Sequence, residues 1–208
     1  MHSLAPERLR EAIERSLDDL RRTPDVVFLH NPEVTLKQLP ADQACARLAD
    51  ACAMLSDAVT AGLCGSWGIA TWDARPVAAA VKHCSSRLRP SILVRRAGLS
   101  VADPILTAGE TLRRVLEVPA HGCWGMSPFG GSLADRGWDA VDLRAFLGPG
   151  QDYTTPQAAF RLAFELPSVV RVAVGTTDRR HLRDLVAATN ATVDDAAVQH
   201  YRALIRQS

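Results

Sequence analysis

The residues best suited by type to do chemistry are His30 and the turn Gly175-Thr176-Thr177-Asp178. His30 ends the run Val26-Val27-Phe28-Leu29, and Asn31-Pro32 follows at once. Four apolar residues without a polar interruption read as a parallel strand covered on both faces, and proline cannot continue it. A histidine at the C-terminal end of such a strand lies where parallel α/β folds carry their reactive groups, or else is a hydrogen-bonded rim residue without a task. Its imidazole exchanges a proton near neutral pH, which suits general acid or base work. Glu33, three residues on, would polarise it if close, but beyond the proline its side chain is expected in solvent.

The turn at Gly175 precedes a helical pattern that starts at Arg179. Free N–H groups and the helix dipole favour an anion there, and Thr176, Thr177, Arg179 and Arg180 add donors. The alternative is that the threonines and Asp178 only cap the helix. His83-Cys84 and His121-x-Cys123 lack the spacing of a zinc site, so no metal is expected. Trp67, Trp72 and Trp124 lie at or near strand ends, either as core and rim packing or as lining of an apolar pocket.

Five strands and their connecting helices must position these groups. Ser3 reads as the cap of a first helix that carries Leu9, Ile13, Leu17 and Leu20 to about Arg22. The strand Val26–His30 follows, then a loop over 31–39. A helix over 41–61 has Ala44, Leu48, Cys52, Leu55 and Val59 on one face and is closed by Gly62. Strands are expected at 67–71, 91–94, 123–126 and 169–174. Helices are expected at 77–84 behind Pro76, at 108–116, at 156–165, from Arg179 to Ala188, and at 193–205. Residues 130–152 form a long connection with a turn of helix near 141–146. Strands alternating with helices imply a parallel sheet with right-handed crossovers.

Composition narrows the classes. A chain of 208 residues, 47% hydrophobic and 23% charged, suits one domain with a full core. A net charge of +1 gives no reason to expect nucleic acid or an acidic membrane surface as partner. The five cysteines are odd in number and scattered, with Cys45 and Cys52 on one helical face, so they read as core thiols of a cytoplasmic protein. No signal-like start and no apolar run of about 18 residues is present, so neither secretion nor a membrane span is expected.

Four segments together resemble the aldo/keto reductases: residues 1–33, W-G-I-A-T-W at 67–72, G-M-S-P-F-G-G at 125–131 and V-A-V-G-T-T-D-R-R-H-L-R-D-L at 172–185. They follow that family's order from its third helix onward. The resemblance implies a single domain over 1–208, an incomplete TIM-type (β/α) barrel of about five parallel strands with surrounding helices. It implies a small-molecule ligand, and it allows NADP as a cofactor without requiring one, since the cofactor positions are half kept. Of the family's aspartate, tyrosine, lysine and histidine, only His30 carries over. Tyr153, Tyr201, Lys37 and Lys82, the only residues of those types, all follow the first strand. The pair that holds the nicotinamide amide falls on Ala70 and Thr71, and only Thr71 can hydrogen-bond. The aromatic stacking position falls on Met126, with Trp124 two residues earlier. Ser127, Pro128, Phe129 and Gly131 match the pyrophosphate loop. Gly175, Thr176 and Thr177 match the phosphate turn, with Arg179 or Arg180 for a 2′-phosphate. The adenine contact falls on Leu185.

Three functions follow from this inventory. The first is a diverged enzyme acting on a small metabolite by His30 acid/base chemistry: isomerisation, dehydration or cyclisation. One general acid or base supplies ~10²–10⁴-fold, about 3–5 kcal/mol. The second is a non-catalytic binding scaffold. The third is NADPH-dependent carbonyl reduction completed in trans. Five strands do not close an eight-stranded barrel, so the chain is expected to associate with itself or with a second polypeptide.

Overall fold

A computed structural model describes residues 2–84, 88–131, 138 and 141–207. The elements in order are α1 (Pro6–Leu20), β1 (Val26–His30), α2 (Glu33–Leu36), α3 (Ala41–Thr60), β2 (Ser66–Thr71), α4 (Ala74–Lys82) and β3 (Ile92–Arg96). There follow α5 (Asp103–Val115), β4 (Cys123–Met126), α6 (Thr155–Leu162), β5 (Arg171–Ala173), α7 (Arg179–Ala188) and α8 (Asp195–Ile205). The five strands form one sheet in the order β1-β2-β3-β4-β5. This is the α/β class expected from the alternating pattern. Two compact units divide the chain: Met1–Arg95 with Ala108–Cys123, and Arg96–Thr107 with Trp124–Ser208.

In the first unit, β1 pairs in parallel with β2, and β2 with β3. The long helix α3 buries Ala44, Leu48, Cys52, Leu55 and Ala58, a spacing of three and four that places one stripe against the core. Each buried leucine of that stripe contributes about 2 kcal/mol by removal from water. β1 departs from the expectation of a fully covered strand. Leu29 is buried, but Val26, Val27 and Phe28 are half-buried, because β1 ends the sheet order and has a strand on one side only.

The second unit holds a parallel β4–β5 pair and a cluster of Leu99, Leu143, Leu147, Leu162, Leu166 and Val198. Phe129, Trp138, Phe146 and Tyr201 pack against that cluster. At β5 only residues 171–173 are strand, so the expected span 169–174 is cut at both ends.

Several boundaries move for identifiable reasons. The first helix is capped at Ala5; Ser3 Oγ instead accepts from Ala5 N at 3.1 Å. The loop expected over 31–39 contains α2. α4 begins at Ala74, because Asp73 caps it by accepting from Arg75 N at 3.0 Å. α5 begins five residues early, since Pro104 sits in its first turn, where a missing N–H costs nothing. The turn expected near 141–146 is a 3-10 turn at Leu143–Phe146.

Cys45 is not a core thiol: it is bonded to Cys84 with a Cα–Cα distance of 5.3 Å. Cys52, Cys64 and Cys123 are buried free thiols, and burial pushes the Cys52 thiol up to about 12. Among the described residues no helix is long and apolar enough to cross a membrane.

Candidate functional site

In the first unit the candidate site begins where β1 and β2 end. His30 is in register with Ala70, and Ala70 with Val94. Residues in register on parallel strands share a face, and the face alternates along each strand. His30, Ala70 and Val94 therefore stand on one side, above Phe28, Gly68 and Ile92. The packing agrees, because a Cβ on Gly68 would meet Phe28 Cε1 at 2.9 Å and Ile92 Cβ at 3.0 Å. His30 is exposed at the strand end. Its carbonyl accepts from the His2 ring at 2.9 Å, and the other ring nitrogen of His2 lies 3.1 Å from Thr35 Oγ1. The first residues thus pin the turn that follows β1.

Trp67 and Thr71 fall on the opposite face from His30, by the same alternation. Thr71 was expected to meet a cofactor amide. It is instead fully buried, in register with the buried Arg95, and its hydroxyl donates to Glu33 Oε2 at 2.8 Å. Trp67, expected in a pocket wall, is 4% exposed. Trp72 is 43% exposed. The structure does not bring these three side chains to His30.

Glu33 does not lie in solvent, where its place beyond a proline would put it. It is buried, and its carboxylate accepts from three donors: Thr71 Oγ1, Trp72 N at 2.8 Å and Asp73 N at 3.2 Å. The chain reaches this arrangement because Asn31 turns in the left-handed region (φ 48°), donating its N–H to Ala70 O at 2.7 Å, and α2 starts directly after. A buried carboxylate is tolerable only when its lone pairs are satisfied. Here they are, and the segment between β2 and α4 is fixed in return. Asp73 continues the chain of bonds by taking the Arg75 guanidinium at 2.7 Å.

In the second unit, Trp124 and Met126 alternate with Gly125 along β4. Trp124 is in register with Arg171, whose guanidinium sits 4.9 Å over its ring, a cation–π contact. Ser127 turns in the left-handed region (φ 55°), and its carbonyl accepts from Gly130 N at 3.0 Å. Gly98 sits against this loop at φ 112°, where a Cβ would lie 2.6 Å from Pro128 O, so only glycine fits. Phe129 is half-buried, and Gly131 is exposed at the loop's end.

Gly175, Thr176, Thr177, Arg179 and Arg180 are all exposed. Of the two readings of this turn, capping is the one its hydrogen bonds realise. Thr176 Oγ1 accepts from Asp178 N at 3.1 Å, and Asp178 Oδ1 accepts from Arg180 N at 2.7 Å. The α7 N-terminus thus already carries a carboxylate where an anion would sit. His181 Nε2 lies 3.6 Å from the other Asp178 oxygen. Leu185, at the adenine position, is buried. Among the described residues no cluster of three or more His, Cys, Asp or Glu could hold a metal ion.

Comparison with known proteins adds the following. Residues 1–100 match the Aldo/keto reductase family. The fold resembles an aldo-keto reductase, AKR11C1, from Bacillus halodurans in its holo form, with a TM-score of 0.68 and 15% identity. The match covers 98% of this chain and 66% of that one. An aldose reductase from Giardia lamblia gives a TM-score of 0.69 at 15% identity, over 100% of this chain and 70% of that one. The Bombyx mori aldo-keto reductase AKR2E4, in complex with NADP, gives 0.63 at 16% identity, over 99% and 64%. The chain spans about two thirds of the length of these reductases. At such identities the likeness is one of fold. No curated protein matches the sequence.

Proposed function

We infer the function of this chain from its likeness to the aldo/keto reductase family, whose model matches residues 1–100 and whose fold it shares in part. The reading is a proton-transfer enzyme for a small metabolite, with the His30 imidazole as its acid/base group. The observation that carries it is the placement of His30: exposed at the C-terminal end of β1, on the face of the buried, apolar Ala70 and Val94.

A nicotinamide dinucleotide does not fit the residues on hand. The amide-holding position Ala70 has no polar side chain, and Thr71 lies buried on the other face with its proton given to Glu33. At the phosphate end, Asp178 already holds the Arg180 N–H. What these residues support is removal of a proton from carbon beside a carbonyl by an imidazole nitrogen, and its return to a neighbouring atom. That sequence serves isomerisation, dehydration or cyclisation.

The test is proton exchange in deuterated water, followed by proton NMR on hydroxyacetone, acetoin and dihydroxyacetone. The expected result is enzyme-dependent exchange at the carbon beside the carbonyl, lowered ~10²–10⁴-fold in His30→Gln. Equal rates in wild type and variant would remove His30 from the reaction.

A partner belongs to the same reading. β1 ends the sheet order, and a groove of about 310 Å³ runs beside it, lined by Leu9, Ile13, Leu20, Val27 and Phe28. We propose that a second polypeptide, a copy of this chain or another protein, covers this edge. A monomer by light scattering at micromolar concentration would contradict that.

A further inference from the structure

The bond between Cys45 and Cys84 ties α3 to the residues just past the end of α4, across 39 residues of chain. α3 and α4 also pack against one another. Each has its own buried stripe: Leu48, Cys52 and Leu55 on α3, Val77, Ala78 and Val81 on α4. Opening the bond therefore leaves the apolar surface of both helices covered. A reduced Cys84 strands no donor either, because its sulfur lies 3.4 Å from Ala80 O and 3.6 Å from Cys45 O. The fold thus accommodates the dithiol as well as the disulfide.

The other cysteines do not compete for thiol chemistry. Cys52, Cys64 and Cys123 are buried, and burial holds the Cys52 thiol at about 12, where it does not form a thiolate at neutral pH. Cys45 is half-buried, and the two residues after it, Ala46 and Arg47, are exposed. A small thiolate approaches the Cys45 sulfur from that side.

We propose that Cys45–Cys84 is a reversible exchange site for low-molecular-weight thiols and disulfides, and that its state sets how firmly α4 is held. In the opening direction a small thiolate attacks Cys45 Sγ, the S–S bond breaks, and Cys84 leaves as a thiolate that takes a proton. A second small thiolate attacks the mixed disulfide and releases the Cys45 thiol, with a small-molecule disulfide as the oxidised product. The chain gains two electrons and two protons, all supplied by the two small thiols. Closure runs the same steps in reverse, with the small disulfide as oxidant. The reach of the site follows from α4. Its N-terminal end follows Trp72 and Asp73, whose N–H groups donate to Glu33, and its C-terminal end is the one the disulfide ties. Once the bond is open, α4 is held by packing and by its N-terminal end. The site uses none of the groups assigned to proton transfer, so it stands or falls independently of His30.

The experiment treats the full chain in native buffer with millimolar 2-mercaptoethanol and, separately, with 2-hydroxyethyl disulfide, and counts thiols with Ellman's reagent after desalting. The thiol is expected to expose two cysteines per chain, Cys45 and Cys84, and the disulfide to remove them again. The melting temperature is expected to fall by about 10 °C on opening, because a cross-link closing a loop of this length constrains the unfolded chain. Amide hydrogen exchange over Ala74–Lys82 is expected to rise about tenfold or more, with α7 unchanged. The double variant Cys45→Ser, Cys84→Ser is expected to match the opened form and to respond to neither reagent. Thiols that appear only on denaturation, thiols that the small disulfide fails to remove, equal melting and exchange in the two forms, or an opened chain that unfolds outright would each overturn the proposal. Should the serines themselves disturb folding, the wild type in its two states decides.

Discussion

Glu33 and Asp178 are both carboxylates that accept backbone N–H groups, one beside the end of β2 in the first unit, the other ahead of α7 in the second. Asp178 does so two residues away and in the open, with half of its side chain exposed. Glu33 does so across 38 to 40 residues and out of water. The exposed bond exchanges with water and can be lost cheaply. The buried one cannot, because its loss strands the buried Thr71 hydroxyl along with two half-buried backbone N–H groups. The difference shows which contact is a local cap and which one determines where the chain goes. Strand alternation puts Thr71 on the far side of the sheet from His30, and the Glu33 bond satisfies its hydroxyl there.

The largest expected effect is that of Glu33→Ala. It removes the partner of Thr71 Oγ1, Trp72 N and Asp73 N together. At ~1–3 kcal/mol for each stranded buried group, partly relieved by relaxation, the loss is expected near 3 kcal/mol in urea denaturation. A loss below ~1 kcal/mol would mean that water replaces the carboxylate, and the contrast with Asp178 would disappear. Thr71→Val keeps the shape and deletes one donor to a charged acceptor, for an expected loss of about 2 kcal/mol.

The same contrast governs what could be read from the sequence. Asp178 beside Thr176 and Thr177 reads as a cap because all its partners lie within one turn, and the helix Arg179–Ala188 was legible to the residue. β1 and β4 were legible too, from short apolar runs bounded by proline or glycine. Glu33 was not. Local logic places a glutamate beyond a proline in solvent, and nothing near it in the chain announces a donor at Thr71. The Cys45–Cys84 bond and the meeting of Phe146 with Tyr201 were hidden for the same reason, since each joins residues far apart in sequence. Register settled the faces: a single pairing, His30 with Ala70, puts Thr71 and Trp67 on the other side.

Tyr201→Phe probes a contact between the two extremes, half-buried and long-range. Its expected cost is about 1 kcal/mol, because Leu99 O loses its donor. The sign with pH follows from the raised phenol: the contribution is full below the unfolded tyrosine value near ~10 and is lost as pH rises through the higher folded value. The variant is expected to show a flatter decline in stability at alkaline pH, measured by denaturation midpoints. Asp178→Ala should cost least, ~0.5 kcal/mol, as an exposed helix cap.

Whether Thr71 is withheld from a cofactor can be tested directly by titrating the purified chain with NADPH and following the nucleotide's fluorescence. The expected result is no saturable change up to about 1 mM, where even a weak site of ~4 kcal/mol would register. Saturation in the micromolar range, with oxidation of the nucleotide against a simple aldehyde, would contradict the account.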